Sequence, residues 1–505
     1  MPELNGSPKK IVVMGSGAIG MELAGLLRME YPDAQIVVSN RESGKGTKAA
    51  IAWDQKESIL RKTHPELNNH KGSITFTTDT KEAMRGADIV EITGGVPRTS
   101  PTQPREGLAA ANVEFINPIA KAAGELHHEN PNHKVNYVIG TNPIGVMDQY
   151  FQEKSKIPHD KIVGLSGELD VARLEQSIRT HLHLGYNEIK GARVVGAHDD
   201  TMVGVLSGIE VKKDGEWKPL LSLTKELDKI IDVPNAKGEI ERRTLLTELM
   251  NATTKGGGKM SAWAGVSDHE APAAALTYMT KQLVNARSGK ESKPITASVY
   301  DKDAGVYSGQ TIKFNTDGTH AVDKNQPELN EAEKAGLQKS LENSQNGWQK
   351  FKDFLVIKEK LVKEISGNAD FSFALSDYRE KGGRAFIQIN GSSASNIDDI
   401  KESLGKVLDV DNKNIHTEAG NSSKIYFDLD EKALKSTLPA IKILASELRT
   451  KVKDILAANK ETSAEPSKPA PTNVIPSDFL GDTNKSPKNS NADLHRSVIP
   501  SYHGF

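Results

Sequence analysis

Ile11-Val12-Val13-Met14-Gly15-Ser16-Gly17-Ala18-Ile19-Gly20-Met21-Glu22-Leu23-Ala24-Gly25-Leu26-Leu27 is the stretch that decides the fold. It begins as a short apolar run rich in branched residues and ends in the helical pattern Met21, Leu23, Ala24, Leu26, Leu27. Between the two, Gly15, Gly17 and Gly20 fit G-x-G-x-x-G, so the stretch predicts strand, tight turn and helix around a dinucleotide. Each glycine has its own task. Gly15 makes the turn, Gly17 lets the backbone approach a pyrophosphate, and Gly20 lets the helix pack on the strand. The helix N-terminus then offers N–H groups and the positive end of its dipole to the phosphates.

Further apolar runs follow at Ile36-Val37-Val38, at Ala87 to Thr93 (ending in Gly94-Gly95), and at Val135 to Ile139 (ending in Thr141-Asn142-Pro143). Continuous apolar strands alternating with helices imply a parallel sheet covered on both faces. The fold class expected is therefore α/β: a Rossmann-type doubly wound sheet over 1–145, then an α+β substrate and catalytic domain over 146–345. Helical Asp170 to His181 and strands near 191–195 and 294–300 fall in that second part. The amphipathic stretch Asn330 to Val362 reads as helix. Gly382 to Ala457 reads as a small β-α-β-β-α module, so 346–458 is a linker helix plus module. From 459 to 505 Pro, Ser, Asn and Lys dominate, which predicts a disordered tail. Gly256-Gly257-Gly258-Lys259 lacks the pattern of a P-loop and is expected to be a surface loop.

Composition narrows the function classes. With 505 residues, 65 Lys plus Arg against 67 Asp plus Glu, and a net charge of −2, no bulk field recruits nucleic acid or an anionic membrane. The chain has no cysteine, which excludes disulfides, thiolate metal sites, iron–sulfur clusters and a cysteine nucleophile, and favours a reducing compartment. No apolar run is long enough to span a bilayer, and a cytoplasmic protein is expected. The histidines have no carboxylate or cysteine spacing around them that completes a metal site, so no metal is expected.

Cofactor choice is read at the end of the second strand, where an NAD site usually carries Asp or Glu for the ribose hydroxyls. Here the residues are Ser39-Asn40-Arg41. No carboxylate repels a 2′-phosphate, and Arg41 could pair with one; equally, Asn40 could bond the ribose of NAD beside a solvated Arg41. NAD or NADP is expected, with NADP or dual use slightly favoured.

Six segments stand in an order that resembles the lactate and malate dehydrogenase family over about residues 9 to 345. They are the glycine fingerprint; Ile92 to Arg98, with Arg105 and Asn112 downstream; Thr141-Asn142-Pro143; Leu169-Asp170-Val171-Ala172-Arg173; Gly196-Ala197-His198-Asp199-Asp200; and Ala271 to Ala275. Oxidising a 2-hydroxy acid requires a base tunable around neutral pH, and His198 is the candidate. Asp170 would fix its tautomer and stabilise its cation. Asp170 and Arg173, at i and i+3, share a helix face, leaving the Arg173 fork for the C1 carboxylate.

The resemblance implies further roles. Arg105 polarises the reacting oxygen, Arg98 contacts the far end of the substrate, Asn142 bonds the hydroxyl or carbonyl oxygen, and Ser267 lines the pocket. Gly94, Asn112 and Thr141 would sit at the cofactor with Asn40 and Arg41. Arg at position 98 favours malate and oxaloacetate over lactate and pyruvate. A homo-oligomer acting on a small dicarboxylate is implied, with no nucleic-acid or membrane partner and a C-terminal module whose partner is unknown. Asp199 replaces the glycine usual after the histidine, which predicts extra negative charge and a demand on the backbone there. The alternatives are a lactate or other 2-hydroxy acid dehydrogenase, and a catalytically silent scaffold presenting its C-terminal module to a partner.

Overall fold

The computed structural model describes residues 7–41, 43–96, 105–132, 134–235, 238–264 and 268–366, together with the strands Ser372–Leu375, Arg384–Asn390, Ile415–Glu418 and Asn421–Asp428. The chain divides into a compact unit Met1–Val452 and a second, Lys453–Phe505, that lies outside the described residues along with the expected disordered tail.

The quoted stretch forms strand β1 (Lys10–Met14) and helix α1 (Ala18–Glu30). The next elements are β2 (Gln35–Ser39), α2 (Ser43–Thr63), β3 (Ser73–Thr77), α3 (Thr80–Met84), β4 (Ile89–Ile92), α4 (Arg105–Glu129), β5 (Asn136–Ile139), α5 (Val146–Ser155), β6 (Ile162–Gly164) and α6 (Gly167–Leu182). The six strands pair in parallel in the order β3-β2-β1-β4-β5-β6. Strands from both sides of residue 145 therefore share one sheet. It continues antiparallel through Ile295–Asp301, Val306–Phe314 and His320–Val322. Sequence reasoning passed over β3, whose alternating Ser-Ile-Thr-Phe-Thr is the half-buried pattern of an edge strand rather than a continuous apolar run.

Two apolar layers cover the sheet. Val12, Met14, Val90, Ile92 and Ile139 face α4 and α5, while Ile11, Val13, Ile36, Val38 and Val138 face α1 and the helix Glu270–Arg287. Period-2 alternation with both faces buried explains why these strands read as unbroken apolar runs.

The amphipathic stretch near residue 330 forms one helix, Glu331–Ser366. Past residue 345, where the family resemblance ends, this long helix still packs into the body. Trp348 is 6% exposed and Phe351 2%, and the Phe351 ring meets Tyr150 of α5 edge-on at 5.9 Å. Burying a side chain of this size contributes roughly 1.5–3 kcal/mol, so the helix is anchored beyond the expected boundary. Gly256–Lys259, expected as a loop, lies inside the helix Leu245–Ala264. Leu245 and Leu249, both buried, set the helical period that the glycines then follow despite their cost of about 1 kcal/mol each relative to Ala. Beyond 366 the described strands form a four-stranded antiparallel sheet. Three of them were anticipated near 385–389, 415–417 and 425–427. Ser372–Leu375 was not, and the helices expected at 397–408 and 434–456 lie outside the described residues.

Candidate active site

The strand order reverses between β1 and β4, and in open α/β sheets ligands bind outside the carboxyl ends of the strands at such a point. Gly15 there has φ +116, and a side chain on it would meet the Gly94 backbone at 2.6 Å. A Cβ on Gly20 would stand 1.9 Å from the Gly15 carbonyl oxygen, whereas at Gly17 there is open space. Gly17 caps α1 without any side-chain hydrogen bond, so the first-turn N–H groups face the space where a pyrophosphate would lie. This cradle fits a dinucleotide.

Side chains expected at the cofactor stitch the strand ends together. Thr141 Oγ1 donates to the Gly94 carbonyl at 2.6 Å. Asn112 Oδ1 accepts from the Val96 N–H at 2.5 Å, while its Nδ2 donates to the Asn142 carbonyl at 2.6 Å. Asn112 thus latches the β4 loop to the β5 loop. Asn40 Nδ2 donates to Ser16 Oγ inside the glycine turn at 2.5 Å. Arg41 Nη1 donates to the Glu114 carbonyl at 3.1 Å and its guanidinium lies over Phe115 at 5.5 Å, so the residue read as a phosphate partner rests against α4.

The acid/base candidates converge. Asp170, in the first turn of α6, is 1% exposed; its Oδ2 lies 2.7 Å from His198 Nδ1 and its Oδ1 accepts from Arg173 Nη1 at 2.9 Å. A carboxylate at Nδ1 holds the tautomer in which Nε2 accepts a proton. Arg173 keeps donors beyond the one spent on Asp170. Two further carboxyls are shifted upward by burial: the partly buried Glu168 to about 7, with its Oε1 accepting from the Thr296 N–H at 2.7 Å, and the fully buried Asp148 also to about 7, with hydrogen bonds from Ser298 and Gly145 offsetting part of the effect.

Of the other predicted residues, Arg98 and Ser267 lie outside the described residues, and Arg105 is described only as the first residue of α4. The Asn142 side chain is exposed and accepts from the Ile144 N–H at 3.4 Å. A cavity of about 110 Å³ borders His198, lined also by Pro143, Gly145, Ser298, Asn343 and Trp348. Among the described residues no group of three or more His, Asp or Glu could hold a metal ion, and no helix is long and apolar enough to cross a membrane.

Asp199 does not strain its backbone as expected. Among the described residues, positive φ outside glycine occurs only at Lys156, His183 and Asp214. Its carboxylate takes hydrogen bonds from Thr201 and Asn343. Sequence reasoning missed Asn343, along with Ser340 and Glu333 on the same helix, because polar residues of an amphipathic helix read as a solvated face.

Residues 9–164 match the family model for the NAD-binding domain of lactate/malate dehydrogenases. A malate dehydrogenase of Pelagibacter ubique is 29% identical over 348 residues, which is 68% of this chain and 96% of that protein. The crystal structure of Cryptosporidium parvum malate dehydrogenase is similar with a TM-score of 0.56 at 25% identity, covering 68% of this chain and 99% of that one. The fold is also that of the Cryptosporidium parvum lactate dehydrogenase solved with lactic acid and nicotinamide adenine dinucleotide, with a TM-score of 0.56 at 22% identity over 68% of this chain and 98% of that one.

Proposed function

Because the chain belongs to the lactate/malate dehydrogenase family, we propose that it is an NAD-dependent 2-hydroxy acid dehydrogenase that interconverts malate and oxaloacetate. The observation that carries this reading is the contact chain from His198 through Asp170 to Arg173. The glycine turn of Gly15, Gly17 and Gly20 would hold a nicotinamide cofactor, which when bound would supply or accept the hydride at C2 of the substrate. In the oxidation direction His198 Nε2 takes the hydroxyl proton, and Asp170 stabilises the imidazolium that forms. Arg173 pairs with the C1 carboxylate in bidentate fashion, Asn142 and Arg105 bond the reacting oxygen, and Arg98 pairs with the far carboxylate. Ser267 completes the pocket wall. Gly15, Gly17, Gly20, Gly94, Asn112 and Thr141 shape the cofactor crevice.

NAD(H) is the cofactor that the family's domain favours. NADP(H) is a second candidate, since Ser39-Asn40-Arg41 presents no carboxylate and Arg41 has only to turn from the Glu114 carbonyl to meet a 2′-phosphate. The reading is of a cytoplasmic homo-oligomer whose cofactor and substrate parts share one sheet across residue 145, with the region beyond the long helix Glu331–Ser366 an appended module of unassigned partner. The absence of cysteine suits a reducing compartment.

Dicarboxylate choice rests on Arg98. Arg98→Gln is expected to cut kcat/KM for oxaloacetate by about 30-fold, as loss of a charge-assisted pair of about 2 kcal/mol would, with little change for pyruvate. Steady-state kinetics on both acids checks this, and equal losses would mean that Arg98 points elsewhere.

A further inference from the structure

The segment that carries His198 is held from outside by one face of the long helix. Glu333 Oε1 accepts from the Ser207 N–H at 2.9 Å, and its other oxygen takes the Ser207 hydroxyl. Ser340 Oγ accepts from the Ala197 N–H at 2.8 Å and lies 3.1 Å from Thr201 Oγ1. Asn343 Nδ2 donates to Asp199 Oδ2 at 2.8 Å, and Asp199 Oδ1 accepts from the Thr201 N–H at 2.7 Å. Two helical turns separate Glu333 from Ser340 and three residues separate Ser340 from Asn343, so all three lie on one face.

Ala197 and Asp199 flank His198, and each is bonded to this helix. Gly196 just before them has φ +92, and a Cβ there would strike Ser340 Oγ at 2.5 Å, so the segment sits tight against the helix. Asp199 is only 9% exposed. A carboxylate so buried is retained only where donors surround it, and here they come from Thr201 and Asn343. The backbone on either side of the imidazole cannot shift without breaking these bonds.

We propose that Asp199 and Asn343 are a positioning pair for His198, through which the long helix aims the imidazole. The proposal rests on His198 being the acid/base of the reading above. Asn343→Asp sets a second carboxylate against Asp199. It is expected to lower kcat at least about tenfold, to leave NADH affinity within about twofold, and to remove the downfield proton resonance of the His198–Asp170 hydrogen bond. The double variant Asp199→Asn with Asn343→Asp reverses the pair: the new amide donates to the new carboxylate and its oxygen still accepts from Thr201. It is expected to restore the resonance and to bring kcat within about threefold of the native value. Asn343→Ala, which only removes the donor, replaces the first variant if that one does not fold. A native kcat and an intact resonance in Asn343→Asp or Asn343→Ala, or no recovery in the double variant, would overturn the proposal. If the native protein turns over no 2-keto acid, the dehydrogenase reading fails by itself, and the resonance in these variants still decides whether the pair positions His198.

Discussion

His198→Ala is expected to lower kcat for oxaloacetate reduction by roughly two to four orders of magnitude, with NADH affinity within about twofold of native. The imidazole is the group placed to hold the transferred proton, since its Nδ1 lies 2.7 Å from Asp170, which sets the tautomer in which Nε2 is the basic nitrogen. Without it the alkoxide formed as hydride reaches the carbonyl must find its proton in water, while the arginines still bind the substrate. The glycine turn is untouched, so cofactor binding persists. Stopped-flow turnover together with fluorescence titration of NADH separates the two effects. A variant with near-native kcat would remove His198 from the chemistry.

Asp170→Asn is expected to cost nearly as much, about two to four orders of magnitude in kcat, by a different route. An amide in this place can offer an N–H to His198 Nδ1, which leaves the proton on Nε2 and presents a donor where the oxidation reaction needs an acceptor. The same change withdraws the anion that Arg173 meets at 2.9 Å, so KM for the keto acid should rise as well. Asp170 is almost fully buried, and the near-isosteric Asn keeps its volume, so a loss of this size with little change in thermal stability would separate catalysis from folding. Rates within about threefold of native at all pH values would reduce the contact to a structural ion pair.

The parts of the fold legible in the sequence were those whose signal is local. The run Ile11 to Met14, the three glycines and the periodic Leu23, Ala24 and Leu27 each announce a conformation within a few residues, and β1 and α1 follow them closely. β3 escaped because an edge strand with one open face needs only Ile74 and Phe76 to be apolar. The helix through Gly256–Lys259 escaped because local propensity points the other way there, and burial at Leu245 and Leu249, outside that window, decides it.

At the site, the spacing of Asp170 and Arg173 announced a shared helix face, and the two side chains also pair with each other, as the i, i+3 spacing alone would allow. The pairing of His198 with Asp170 spans 28 residues and was reached only through the order of motifs along the chain. What stayed hidden was contact at long range between polar residues. Asn343 meets Asp199 across 144 positions and Glu333 meets Ser207 across 126, and nothing in the helical pattern marks these side chains apart from solvated neighbours. Asn112 was read as a cofactor contact. Its side chain bonds the backbone of two loops, a task that any helical Asn could carry and that only the closeness of Val96 and Asn142 reveals.

The most direct test of the whole account is the initial rate of the native full-length chain with NADH and NADPH against oxaloacetate and pyruvate at neutral pH. Turnover of oxaloacetate with NADH is expected, at a kcat/KM exceeding that for pyruvate by about tenfold or more, as a second carboxylate meeting Arg98 would give. A folded protein that binds NADH yet reduces neither acid, nor any other 2-keto acid offered, would contradict it and leave the chain a nucleotide-binding scaffold.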